Sequence, residues 1–170
     1  ELMLVTSRTQ SPPPVDYVAT SGGQLRDKGA HFYDLACWIS GDRPAEVYAA
    51  GDCLFEPDYA RHGDVDTAVL TLRMAGGAFC QMNFSRRTAY GYDERIEVVG
   101  SRGMVQSRVP VPIDVALYRG DTVHALGGHQ HWYPRVADTY PAQLEAFLDH
   151  LAGDSPFPSL EDGLVAEAIA

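Results

Sequence analysis

Between residues 45 and 125 the chain repeats one device: short runs rich in β-branched and aromatic side chains, each closed by a turn signal such as Ala75-Gly76-Gly77, Gly100-Ser101-Arg102-Gly103 or Arg119-Gly120-Asp121. The runs fall at 46–53, 67–74, 78–86, 94–100, 104–108, 115–118 and 122–125. So close a succession leaves little room for crossover helices, which predicts strands that pair antiparallel as a meander. Another apolar run, residues 2–6, precedes them. Ser11-Pro12-Pro13-Pro14 then forces an extended loop, because each proline fixes its own φ and disfavours helix in the residue before it. Helical spacing of Leu25, Phe32, Leu35, Ala36 and Ile39 predicts a first helix over about 24–40, ended by Gly41 and Pro44. Val136, Tyr140, Leu144, Phe147, Leu148 and Leu151 mark an amphipathic helix over 135–152, and Ser159 with Asp162 caps a last one. Strands grouped between helices give an α+β class: a largely antiparallel open sheet with helices packed on one face.

Such a sheet has a second face to cover. The run Ala78-Phe79-Cys80-Gln81-Met82-Asn83-Phe84 carries bulk on both sides, which predicts a homo-oligomer assembled through the open sheet face; the alternative is a monomer with a semi-polar outer face. With 170 residues, 45% of them hydrophobic, the chain has enough material for one core. A net charge of -10 has the wrong sign for a partner built on phosphate backbones and excludes nucleic acid as the main ligand. Cys37, Cys53 and Cys80 are odd in number and without a CxxC pair, so they read as reduced, buried thiols. No apolar stretch approaches a membrane span and no signal-like run opens the chain, which gives a cytoplasmic expectation. The chain starts beside a strand and stops inside an alanine-rich helix, so further sequence is expected on both sides.

Chemistry concentrates in Asp27-Lys28-Gly29-Ala30-His31-Phe32-Tyr33-Asp34. On a helix, Asp27, His31 and Asp34 share one face. An imidazole there can take an alcohol proton while a neighbouring carboxylate orients it. The same spacing also fits a helix-start Asp beside a solvated or core-satisfied His. It fits as well a divalent-metal site of Asp27, His31 and Asp34, which would make the chain a metal-dependent lyase. Lys28, one residue from Asp27, is turned about 100° away and reads as solvated or at the edge of a cofactor. His124, His129 and His131 lie in a glycine loop with none of the compact zinc spacings and read as a surface loop bordering a substrate mouth. Arg86 and Arg87 read as sheet-end charges, and Trp38, Trp132 and Tyr133 as core or interface packing.

Ser21-Gly22-Gly23, Asp27, His31, Asp34 and Trp38, followed by Gly41-Asp42-Arg43-Pro44-Ala45-Glu46-Val47, fit the pattern GG-x3-D-x3-H-x2-D-x3-W-x2-G-x2-P-x2-V. This resembles the start of the C-terminal domain of the glucose-fructose oxidoreductase and inositol dehydrogenase (Gfo/Idh/MocA) family. Gly91-Tyr92-Asp93, the segment 96–103, Asp138-Thr139-Tyr140, Phe147 and the segment 158–164 extend the likeness over nearly the whole chain. The resemblance implies a glyceraldehyde-3-phosphate-dehydrogenase-like C-terminal domain that binds substrate and assembles the oligomer. It implies a separate N-terminal Rossmann domain holding NAD or NADP, and transfer of hydride between that cofactor and a sugar, polyol or similar hydroxy compound. His31 is then the proton acceptor and Asp27 its partner, with no metal. Ser7, Arg8, Thr9, Lys28, Tyr90 and Tyr92 are the substrate-binding candidates. Ser7 and Thr9 stand where polyol-binding members often place His and Asn, which puts an inositol substrate in question. The Glu-Lys-Pro loop and GxGxxG of the nucleotide domain do not occur in these 170 residues, so the segment alone is expected to be inactive. A non-catalytic oligomerisation or binding module is the alternative.

Overall fold

Alternation along the strands decides which way the sheet faces. In a computed structural model, which describes residues 1–9 and 12–170, buried and exposed side chains alternate strictly along β1 (Leu2–Arg8), β3 (Thr67–Met74) and β4 (Phe79–Ser85). Met3, Val5, Ala68, Leu70, Leu72, Met74, Cys80, Met82 and Phe84 point to one side and form the core. Three helices precede β2. They are α1 (Val15–Ser21), α2 (Gln24–Asp27) and α3 (Gly29–Ser40). α3 lays Phe32, Tyr33 and Ala36 on that core, with Phe32 and Phe84 rings 5.7 Å apart, and Ala166 of the last helix, α6 (Leu160–Ile169), closes it.

The sheet order is β2-β3-β4-β1-β5-β6, where β2 is Pro44–Asp52, β5 Asp93–Gly100 and β6 Gly103–Gln106. This corrects the meander. β1 is inserted between β4 and β5 and runs parallel to β4, while every other pair in this sheet is antiparallel. Pairing of this kind is non-local, and local strand signals do not encode it. The strands β7 (Ala116–Arg119) and β8 (Thr122–Ala125) form a separate hairpin.

Two helix boundaries and one loop also differ from expectation. Residues 15–21, for which no helix was expected after the 11–14 loop, form α1, because Pro14 (φ -56°, ψ 148°) suits the position before a helix and Gly22 (φ 82°) ends it. Ser11, of the expected polyproline segment, lies outside the described residues. The 24–40 helix is interrupted at Lys28 (φ -106°), though the Lys28 N–H still bonds the Gln24 carbonyl. The 135–152 helix divides into α4 (Trp132–Val136) and α5 (Thr139–Ala152). Tyr140, Leu144, Phe147, Leu148 and Leu151 on α5 stay exposed. Ser159 and Asp162 form the reciprocal capping box on α6.

The outer sheet face joins apolar and polar residues. Leu2 is the cross-strand neighbour of both Phe79 and Val99, and all three are open to solvent with Val69 and Tyr48. Behind the edge of the sheet, the buried Asp66 carboxylate accepts the backbone N–H groups of Leu54, Phe55 and Glu56 and the Thr67 hydroxyl. Burial works to raise its pKa, but these donors outweigh it and hold the carboxyl below its usual range. Asp66→Ala is expected to cost about 3 kcal/mol in urea unfolding at neutral pH, since three N–H groups lose their acceptor. The folded pKa is the lower one, so Asp66's contribution is present above its unfolded pKa, about 4. It disappears as pH falls through the folded pKa, and the parent–variant difference shrinks there.

Candidate active site on the helix side of the sheet

The site begins with a glycine. Gly23 (φ 88°) lies so close to Asp64 that a Cβ there would come within 2.9 Å of Oδ1. This approach lets Asp64 accept the Gln24 N–H at 2.7 Å, while Gln24 Nε2 donates to the Asp66 carbonyl. α2 is thereby fixed to the turn before β3. At its last residue, Asp27 accepts the Tyr17 hydroxyl at 2.7 Å on Oδ1 and faces Arg86 Nη1 at 3.6 Å on Oδ2. Arg86 is itself buried; it pairs with Asp64 at 3.3 Å and lies over the Tyr59 ring. It is therefore no sheet-end charge: directly after β4 its side chain turns into the helix layer. Arg87 instead sits over Phe55.

Strand parity supplies the other half. Ser7 and Glu94 are register partners on the helix side, and the Ser7 hydroxyl donates to Glu94 Oε1 at 3.0 Å. Arg135 of α4 pairs with Glu94 Oε2 at 2.6 Å and lies over the Tyr92 ring. Burial pushes the Tyr92 phenol up; Glu94 adds to the shift and Arg135 opposes it. α4 is held here because the backbones of 90–92 and 127–129 touch: a Cβ on Gly91 or Gly128 would collide with the carbonyl oxygen of Gly128 or Tyr92, and the Tyr92 N–H donates to His129.

Lys28 differs from expectation. Its Nζ is not solvated but enclosed, without a hydrogen-bond partner. Burial pulls its pKa down to about 7; Glu94 and Asp27 favour the charged form, and Arg86 and Arg135 oppose it.

His31, in the first turn of α3, is exposed and makes no hydrogen bond or ion pair among the described residues. Asp34 lines an open cavity of about 620 Å³ with Trp38, Asp42, Arg43 and Phe157. Trp38, 78% exposed, belongs to that cavity and not to the core. Trp132 and Tyr133 stack edge-on at the surface.

The expected substrate residues divide across the sheet. Ser7, Lys28 and Tyr92 lie with Asp27 on the helix side. Arg8 and Tyr90 lie on the outer face: Arg8 donates to Asn83 and to the Tyr90 hydroxyl, which in turn donates to the buried Asp93 at 2.7 Å. Burial raises the Asp93 carboxyl, but bonds from Arg95 and Tyr90 outweigh it and hold it low. Thr9 follows β1, its hydroxyl buried without a partner. Glu94, Arg86, Arg135, Asp64 and Tyr17 escape sequence reasoning, although the two-residue step from Tyr92 could have placed Glu94 on the same face. Among the described residues no three His, Cys, Asp or Glu side chains are grouped to hold a metal ion, Asp27, His31 and Asp34 included. His124 contacts Thr122 in the hairpin, and His131 precedes α4. No helix of the described residues is long and apolar enough to cross a membrane.

The α+β domain thus has an open sheet face with exposed apolar residues on one side and the Asp27, Lys28, Arg86 and Glu94 cluster under its helices on the other. The family model for the GFO/IDH/MocA C-terminal domain matches residues 1–106. A myo-inositol 2-dehydrogenase of Thermotoga maritima is 38% identical over 171 residues, covering 97% of this chain and 50% of that protein. An uncharacterized oxidoreductase, YrbE, of Bacillus subtilis is also 38% identical, over 99% of this chain and 50% of its own length. The crystal structure of a myo-inositol dehydrogenase from Corynebacterium glutamicum superposes with a TM-score of 0.92 at 32% identity, over 99% of this chain and 51% of that one. The chain belongs to the GFO/IDH/MocA oxidoreductase family as its C-terminal domain, and spans about half the length of the curated relatives it matches.

Because the folded pKa of Lys28 lies below its ordinary 10.5, the unfolded chain binds more protons between about pH 7 and 10.5, and stability rises with pH across that window. Lys28→Met, which keeps the volume and removes the charge, is expected to be about 2–4 kcal/mol more stable than the parent at pH 7. The advantage fades toward pH 10.5, as thermal unfolding of both proteins across pH would read.

Proposed function

We propose that this chain is the substrate-side and assembly domain of a nicotinamide-dependent sugar or polyol dehydrogenase, with inositols the first compounds to test. What carries the reading is a fixed carboxylate at the end of α2 and an exposed imidazole in the first turn of α3, four residues on: Asp27, held by Tyr17 and Arg86, and His31. His31 takes the hydroxyl proton of the carbinol being oxidised. Asp27, acceptor-only and already oriented, favours the imidazolium that results. The Asp27 bonds to Tyr17 and Arg86 fix its direction, so its support for His31 acts through the field at this helix face. Bound NAD or NADP supplies the hydride acceptor. No glycine-rich phosphate cradle is found in this sequence, so the dinucleotide belongs to an N-terminal Rossmann domain, and substrate lies where that domain meets α2 and α3. Ser7, Lys28, Thr9 and Tyr92 border that place. Arg8 and Tyr90, on the outer face, belong to assembly.

The test is hydride transfer by the full-length protein, read as nicotinamide absorbance with NAD or NADP against inositols, sugars and other polyols. His31→Ala is expected to lower kcat/KM by about 10² or more, and Asp27→Asn by a smaller factor. Full activity in His31→Ala refutes the proton-acceptor role; absence of dinucleotide binding refutes the dehydrogenase reading.

The outer face is proposed as the contact between copies of the chain, because Leu2, Val69, Phe79 and Val99 lie open to solvent there. Phe79→Glu is expected to lower the mass of the full-length protein in light scattering without unfolding it. An unchanged mass removes that face from the assembly.

A further inference from the structure

The β7–β8 hairpin has no role in the reading above. It is a two-stranded sheet of its own, and strand parity gives it two unlike faces. Ala116 and Tyr118 of β7 pair with Ala125 and Val123 of β8, so one face is wholly apolar, while Leu117 and Arg119 share the other with His124 and Thr122. The apolar face lies bare: Tyr118 is 76% exposed and Val123 59%. A lone two-stranded ribbon is marginal in water and gains its stability from whatever covers that face.

The base of the hairpin is fixed. A Cβ on Gly128 would meet the Tyr92 carbonyl oxygen at 2.4 Å and Val109 at 3.0 Å, and one on Gly127 would meet the Tyr90 carbonyl oxygen at 2.6 Å, so both legs close on segment 90–92. Pro110 and Pro112 stiffen the first leg. The hairpin therefore leaves the sheet at the end where Arg8 is the neighbour of Asp93. The opposite end carries an apolar row on the outer face, formed by Phe79, Leu2, Val99 and Met104 on four adjacent strands. All four are open to solvent, so the hairpin does not fold back onto its own sheet. Leu2 and Arg8 mark the two ends along β1, about 20 Å apart.

We infer that the hairpin is an arm that lies on a second copy of the chain, with its apolar face over that copy's row of Phe79, Leu2, Val99 and Met104. This rests on the outer face being the contact between copies. Sheets stacked row on row would leave both arms bare. With the strands of the two copies reversed, each arm stands at the far end of its partner, and a two-fold axis covers both rows and both arms at once. Extended chain from Val109 to the tip at Gly120 reaches about 35 Å, enough to cross the sheet. Charge agrees with the placement. The chain carries -10 and repels a copy of itself, but segment 108–126 is neutral, Arg108 and Arg119 balancing Asp114 and Asp121.

The experiment uses the full-length protein. Tyr118→Glu with Val123→Glu is expected to lower its mass in light scattering, by half for a two-fold pair, whereas Thr122→Glu on the other face of the hairpin leaves the mass unchanged. The photo-crosslinker benzoylphenylalanine in place of Tyr118 then reads the seat, in protein co-expressed with a copy that bears a different affinity tag. Adducts that join the two tagged chains, mapped to β1, the start of β4, the end of β5 or β6, support the arm. Adducts only within one chain, or on another part of the partner, overturn it. A mass unchanged in the Tyr118→Glu, Val123→Glu protein also overturns it; if Phe79→Glu still lowers the mass, the outer-face contact stands without the arm, and if neither does, both readings fall.

Discussion

The buried guanidinium of Arg86 is the constraint on which the helix side depends. It leaves the end of β4, crosses beneath Tyr59 and meets two carboxylates, Asp64 from the turn before β3 and Asp27 from the end of α2. A charge so enclosed is tolerated only with partners, and removing one of them would leave the other charges uncompensated. Asp64 in turn holds the first N–H of α2. One cation therefore ties a strand end, a turn and a helix end together and fixes where the following helix places His31.

Much of the fold was legible in the residues. Strict alternation in β3 and β4, β-branched content and glycine turns located the strands, and the Ser159–Asp162 pair marked the start of α6. The position of β1 was not. Its alternation says which side chains face inward, but a parallel partner some 77 residues away along the chain leaves no local trace. α1 was missed because Pro14 signals both the end of extended chain and the start of a helix, and only the second applies.

The site shows the same division. Asp27 and His31 stand out in the sequence because four residues separate them, the spacing of one helical turn, although the structure breaks the helix between them at Lys28. Glu94, Arg86 and Arg135 reach the same place from β5, β4 and α4, and no spacing rule joins residues so far apart. Lys28 was misjudged by applying the 100° step of a regular helix at the residue where the helix is interrupted. Arg8 and Tyr90 lie on the other side of the sheet from Ser7 because Arg8 adjoins Ser7, adjacent residues in a strand face opposite sides, and Arg8 bonds the Tyr90 hydroxyl.

The backbone contact between Gly91 and Gly128 separates the course of a loop from its content. Main chain meets main chain there, and the Tyr92–His129 bond needs only an amide and a carbonyl; the Gln130 side chain adds a bond of its own to the Gly128 carbonyl. The side chains of His129 and His131 take no part in that backbone contact, so they can be exchanged while the loop still delivers α4, and Arg135 with it, to Glu94. A domain built this way can vary the side chains of one short stretch while the charge cluster behind it stays assembled.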